Sequence, residues 1–134
     1  MLYIILPVAV PSHTPLLREA TDRFRPVLRE ASPRLPPGGD RLLSGIDGDT
    51  IYDIDSGIDK LARQISTTID WAACLESCRS AGVQAALELG PGKALSHMAS
   101  ALFPDGRARS LEEFRSLAGL RKWLQRAVAF DTAP

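Results

Sequence analysis

The stretch VAVPSHTPLL, Val8 to Leu17, joins two kinds of local structure and places a histidine at their junction. Upstream of it, Tyr3 to Val10 is rich in Ile and Val and apolar on both faces. Such a run predicts a strand covered on both sides, as in an α/β sheet. Downstream, Thr14 offers an N-cap and Pro15 falls at the first helical position, where a missing N–H costs nothing. The helix that follows places Leu17, Ala20, Phe24, Val27 and Leu28 on one face, with Pro26 kinking or shortening it. His13 thus stands at the carboxyl end of a predicted strand, where ligands and catalytic groups gather in α/β folds. A histidine acting there as general base needs a nucleophile within reach and a partner for its other ring nitrogen.

The remaining chain alternates in the same manner. SPRLPPGGD, Ser32 to Asp40, is a loop by composition, and RLLSGIDG, Arg41 to Gly48, reads as a short strand ending in an Asp-Gly turn. A helix is predicted from about Ser56 to Thr67, with Ile58, Leu61, Ala62 and Ile65 inward. A second runs from about Asp70 to Ala81, carrying Trp71, Cys74, Leu75 and Cys78 at helical spacing and ended by Gly82. Val83 to Leu89 reads as a strand, followed by the Gly90-Pro91-Gly92-Lys93 loop and a helix to about Phe103. Ser110 and Glu113 form a capping box, and the helix they open packs Leu111, Phe114, Leu117, Leu120 and Leu124. This order predicts an α/β domain.

At 134 residues, with 45% hydrophobic and 24% charged residues, the chain fits one domain spanning residues 1–134 and is not a disordered polymer. Sixteen basic and sixteen acidic side chains leave no formal charge, so nucleic acid is not an expected partner. Arg107, Arg109, Arg115, Arg121 and Arg126 are interrupted by Glu112 and Glu113 and read as a solvated helix face. Cys74 and Cys78 read as small apolar residues of a buried stripe in a reducing compartment. The opening apolar run is too short to cross a bilayer and lacks a basic leader, which points to a cytoplasmic protein without a membrane partner. The spacings of His13, His97, Cys74 and Cys78 match no metal-ligand pattern, so no metal is expected. In the Gly-Pro-Gly-Lys loop, Ala94 and Leu87 stand where a Walker phosphate loop needs Ser or Thr and an early glycine. Two readings of that loop stay open: a tight strand-to-helix turn, or the edge of a ligand pocket offering free N–H groups to an anion through Gly90, Gly92 and Lys93.

Three segments, taken together, resemble the C-terminal part of the malonyl-CoA:acyl carrier protein transacylase family. VPSHTPLL resembles its histidine motif, LARQISTTIDW (Leu61–Trp71) its Arg-Gln segment before a tryptophan, and LELGPGKAL (Leu87–Leu95) its Glu-x-Gly-Pro-Gly-Lys loop. Their order and spacing agree across essentially the whole chain. SHTPLL, LLSGIDG and the tail RSLEEFRSLAGLRKWL are most similar to the epsilon subunit of malonate decarboxylase. The resemblance implies the C-terminal portion of an α/β-hydrolase-like acyltransferase core, with mainly parallel strands and flanking helices, incomplete as it stands. It implies ping-pong acyl transfer, in which a serine takes a malonyl group from coenzyme A and passes it to a carrier-protein prosthetic thiol. His13 is then the general base, and the main-chain carbonyl of Gln64 accepts a hydrogen bond from it, a triad with a backbone oxygen in place of the carboxylate. Malonyl-CoA and the carrier thiol are implied as substrates, with no bound cofactor. Acyl carrier protein, and either other malonate decarboxylase subunits or a missing N-terminal half, are implied as partners.

The nucleophile departs from the family pattern. Its Gly-x-Ser-x-Gly elbow has no counterpart in this sequence. Ser44 precedes Gly45 without an earlier glycine, while Ser56, Ser96 and Ser100 fall on or beside predicted helices. The malonyl-binding arginine, the oxyanion donors and the inserted small subdomain of the family are likewise not matched. A truncated gene, a split protein and a displaced start codon each account for this, and each implies exposed sheet edges and apolar helix faces. The competing expectation is a non-catalytic α/β module that binds a carrier protein or malonate decarboxylase subunits. A small anion-binding domain using Gly92 and Lys93 is a third.

Overall fold

In the computed structural model, residues 11–129 are described, with side chains given up to Ala127. The strand expected over Tyr3–Val10 lies outside them. The chain divides into two compact units, residues 1–74 and 75–134, and the division falls within a helix. Among the described residues no helix is long and apolar enough to cross a membrane.

The first unit is a helix pair closed by a looped segment. A 3-10 turn over Pro15–Leu17 leads into α1, Arg18–Glu30. Thr14 makes no side-chain cap; its hydroxyl instead donates to the Pro11 carbonyl at 3.0 Å, closing the turn in front of the helix. Pro26 neither ends nor shortens α1, which continues to Glu30 with Pro26 on its exposed side. α2 runs over Ile54–Arg63, starting earlier than its apolar spacing predicts because the Asp53 carboxylate accepts from Ser56 N–H at 2.8 Å. The two helices bury Thr21, Ile58 and Ala62 between them. Val27, expected inward, is 55% exposed, while the Thr21 hydroxyl turns in and donates to Ser66 Oγ at 2.8 Å. Arg25–Asp59 and Arg29–Asp55 span the pair at the surface, each worth at most about 1 kcal/mol.

Arg41–Gly48 is not a strand. Leu43 and Thr50 form an isolated antiparallel bridge, and Gly48 turns the chain between them with φ +74°. Gly48 is required there: a Cβ would lie 2.6 Å from the Ala73 carbonyl carbon and oxygen.

α3, Trp71–Ser80, begins where the Asp70 carboxylate accepts from Ala73 N–H at 2.9 Å. Its C-terminus has the expected glycine closure: Gly82 sits at φ +73° with its N–H on the Arg79 carbonyl, and Val83 N–H reaches the Cys78 carbonyl. Cys74 is buried, Cys78 half-buried, and the two do not form a disulfide.

The second unit centres on a short parallel pair. β1, Ala86–Glu88, aligns with β2, Ala108–Ser110, in the register Ala86–Ala108. α4, Ala94–Ala99, lies on the crossover between them and stops short of Phe103, which is buried in the turn that follows. β2 has no apolar run to announce it. The Ser110–Glu113 capping box is present, yet it opens only a 3-10 turn over Leu111–Glu113. The chain extends again at Phe114, and α5 covers Leu117–Ala129, with Ser116 Oγ accepting from Gly119 N–H at 3.1 Å. Leu117 is therefore 75% exposed rather than packed. Leu16, Tyr52 and Leu89 are also largely exposed.

Candidate functional site

The end of α2 receives the histidine. His13 adopts φ +63°, a left-handed conformation that histidine enters more readily than most residues. Its main-chain N–H donates to the Ile65 carbonyl at 2.9 Å, and its ring Nδ1 lies 2.6 Å from the Gln64 carbonyl oxygen. These two carbonyls belong to the frayed end of the helix, where no further turn supplies donors. His13 therefore satisfies the backbone groups that α2 leaves open, which is why the helix ends at Arg63 and not at Thr67. A carbonyl oxygen can only accept, so the proton of this pair sits on Nδ1. Nε2 is then the nitrogen with a lone pair, on a ring that is exposed.

Gln64 is itself well supported. It caps α2 directly after Arg63, two residues beyond Ala62, which is fully buried. Its side chain lies against Gly45, where a Cβ would come within 3.1 Å of Gln64 Oε1. The Gly45 carbonyl in turn accepts from Asp70 N–H at 3.2 Å, tying this loop to the segment after Gln64. An apolar cleft of about 160 Å³ adjoins Gln64, lined by Leu28, Leu35, Leu42, Ile58 and Leu61. Sequence reasoning named Gln64 and missed Gly45, whose role shows only once the loop is folded back. Lys60, at the edge of the cleft, bridges Asp47 at 2.8 Å and Asp49 at 3.2 Å. The hydrogen bond to Asp47 raises the lysine and lowers the carboxyl from their ordinary values.

The Gly-Pro-Gly-Lys loop belongs to the second unit. The Gly92 N–H of this loop and two N–H groups of α4 are taken by carboxylates. Glu88 accepts from Ser96 N–H at 2.8 Å and Leu95 N–H at 3.3 Å, while Glu112 accepts from Gly92 N–H at 2.9 Å. The Ser110 hydroxyl donates to the Gly92 carbonyl at 2.7 Å. The bond from Ser96 N–H is the main reason the Glu88 carboxyl is held below its ordinary range. Glu112 thus occupies the Gly92 N–H, and Glu88 two N–H groups of α4. Gly90 and Gly92, at φ +85° and +91°, shape the turn, and Lys93 is exposed at its end.

Among the described residues no serine hydroxyl bonds to His13. Ser44 is buried and its Oγ accepts from Ile46 N–H, Ser96 donates to the Lys93 carbonyl, and Ser100 donates to the His97 carbonyl. Nor is any group of three or more His, Cys, Asp and Glu placed to hold a metal among them.

A short parallel pair with flanking helices is an α/β arrangement, and the comparisons agree on that class. The fold matches part of solved FabD acyltransferases. The crystal structure of FabD from Acinetobacter baumannii superposes with a TM-score of 0.74 at 25% identity, covering 93% of this chain and 38% of that one. An acyl-carrier-protein S-malonyltransferase from Burkholderia pseudomallei 1710b gives 0.60 at 30% identity, covering 78% and 33%. In sequence, the chain is homologous at low identity to the malonyl CoA-acyl carrier protein transacylase of Escherichia coli K12. The two are 28% identical over 116 residues, 84% of this chain and 36% of that protein. The chain therefore spans about a third of the length of the curated relatives it matches. No protein-family model matches it.

Proposed function

We propose that this chain supplies the general-base portion of a malonyl-CoA:acyl carrier protein transacylase, working in the cytoplasm in the manner of a malonate decarboxylase subunit. One geometric fact carries this function: the 2.6 Å contact that places the proton on His13 Nδ1 and leaves Nε2 to act as the base. A serine nucleophile, borne on polypeptide outside this sequence, gives its proton to Nε2 as it attacks the malonyl thioester. The acyl–enzyme forms, coenzyme A leaves as the thiol after receiving that proton, and the carrier thiol repeats the sequence in reverse. The Gln64 carbonyl fixes the ring's tautomer and stabilises the imidazolium, though less than a carboxylate would. Gly90, Gly92 and Lys93 are proposed to edge the substrate pocket as a rigid turn.

Reconstitution tests this function. The N-terminal two-thirds of a homologous transacylase, bearing the Gly-x-Ser-x-Gly serine, is co-expressed with this chain and assayed for malonyl transfer from coenzyme A to holo carrier protein. The expected result is transfer that depends on the added chain. A co-purifying complex with no transfer above that of the serine-bearing part alone overturns the proposal.

A further inference from the structure

Thr21 is a buried polar side chain that the proposed chemistry leaves unused. It is 3% exposed, on the face of α1 that meets Ile58 and Ala62 of α2. Packing alone calls for an apolar residue there, and valine has the same branched outline with no hydroxyl to satisfy. A threonine within a helix commonly returns its hydroxyl to a carbonyl one turn back. Thr21 instead donates outward, to Ser66 Oγ at 2.8 Å, across 45 residues of sequence.

Ser66 is the third residue of the segment that holds the histidine. The Gln64 carbonyl accepts from His13 Nδ1, the Ile65 carbonyl from the His13 main-chain N–H, and Ser66 Oγ from Thr21. The N–H groups of this segment turn back to α2, Ile65 to the Ala62 carbonyl at 3.3 Å and Ser66 to the Arg63 carbonyl at 3.0 Å. His13 and Thr21 belong to one continuous piece of chain. The 3-10 turn between them is closed by Leu17 N–H on the Thr14 carbonyl at 3.1 Å and runs directly into α1. Three consecutive residues are thus gripped by one piece at two points. The ring contact is the weaker point, because His13 is exposed and water competes for the Gln64 carbonyl. The Thr21 bond is shielded and is the stronger point. Without it, the two carbonyls turn with the frayed end of α2.

We propose that Thr21 is a positioning residue: through Ser66 it holds the Gln64 and Ile65 carbonyls against His13, and thereby sets which ring nitrogen bears the proton. Its catalytic use rests on the acyl-transfer function above, whereas its test needs no transfer. Proton–nitrogen NMR correlation on the full chain, at about pH 8.5 where imidazole is neutral, reads the tautomer of each of the two histidines. In the wild type, His13 should carry its proton on Nδ1. Thr21→Val should lower the ratio of the Nδ1–H to the Nε2–H form about tenfold, the effect of one lost hydrogen bond. Ser66→Ala, at a half-buried position, should do the same. Thr21→Ser keeps the hydroxyl and should stay within about twofold of the wild type. His97 lies in the other compact unit and should keep its tautomer in every variant. A ratio unchanged in Thr21→Val and Ser66→Ala, or an equal loss in Thr21→Ser, overturns the proposal. So does loss of the folded state in both Thr21→Val and Ser66→Ala, because the bond then serves folding alone. A wild-type ring protonated on Nε2 overturns both this assignment and the acyl-transfer function, whereas absent transfer in reconstitution with the expected tautomers overturns that function alone.

Discussion

His13 and Gln64 divide one task between a side chain and a backbone. In the proposed function the ring of His13 carries the chemistry, whereas Gln64 contributes through its carbonyl oxygen, which any residue at that position retains. Gln64→Ala in a reconstituted enzyme is therefore expected to keep kcat/KM within about tenfold, roughly 1.4 kcal/mol of transition-state stabilisation. Steady-state transfer assays check this, and a loss as large as that of a base deletion would contradict the backbone role. Much of this pair was legible in the sequence. A histidine just after an apolar run and just before Thr-Pro marks a junction, and resemblance supplied the glutamine. Its left-handed φ and its second hydrogen bond, from its own N–H to the Ile65 carbonyl, were not legible. They depend on a helix end 51 residues away.

At the level of elements, helix existence was easier to read than helix ends. α1, α2 and α3 form where apolar spacing places helices, although Val27 and Leu61 of the expected inward faces are exposed, and the Asp70 and Gly82 boundaries of α3 follow directly from capping chemistry. Errors arose where tertiary partners overrode local signals. The Ser110–Glu113 box caps a single turn, because Phe114 leaves it in extended conformation to meet Arg109 and Trp123. β2 was missed because Ala-Arg-Ser has no apolar alternation, and it is defined only by pairing with β1. Gly48 is the clearest test of this scale. Gly48→Ala combines a left-handed backbone with contact against the α3 backbone, and should cost about 3 kcal/mol in urea unfolding. A change below about 0.5 kcal/mol would contradict the packing described. Glu88 supplies a pH test. Hydrogen bonding lowers its carboxyl in the folded state, so its stabilisation is present above the ordinary carboxyl value, about 4.3, and is lost as pH falls through the lowered value. Thermal unfolding should therefore show wild type above Glu88→Gln at pH 7 and the two converging in acid. Equal midpoints at pH 7 would remove Glu88 as the clamp on α4.

For the whole molecule, the histidine and the Gly-Pro-Gly-Lys turn fall in different compact units, and the match covers 36% of the curated relative. Each unit was foreshadowed by motifs, because His-Thr-Pro and Gly-Pro-Gly-Lys fix local turns. Their division within α3 was not, since the amphipathic pattern of that helix runs unbroken across it. The central claim is that His13 drives acyl transfer on a serine outside this sequence. Its most direct test is the single-turnover rate of coenzyme A release from malonyl-CoA by the reconstituted complex, with and without His13→Ala. The variant is expected to assemble normally, since the His13 side chain is exposed, and to release coenzyme A about 100 to 10,000 times more slowly. An assembled His13→Ala complex with an unchanged release rate would contradict the account.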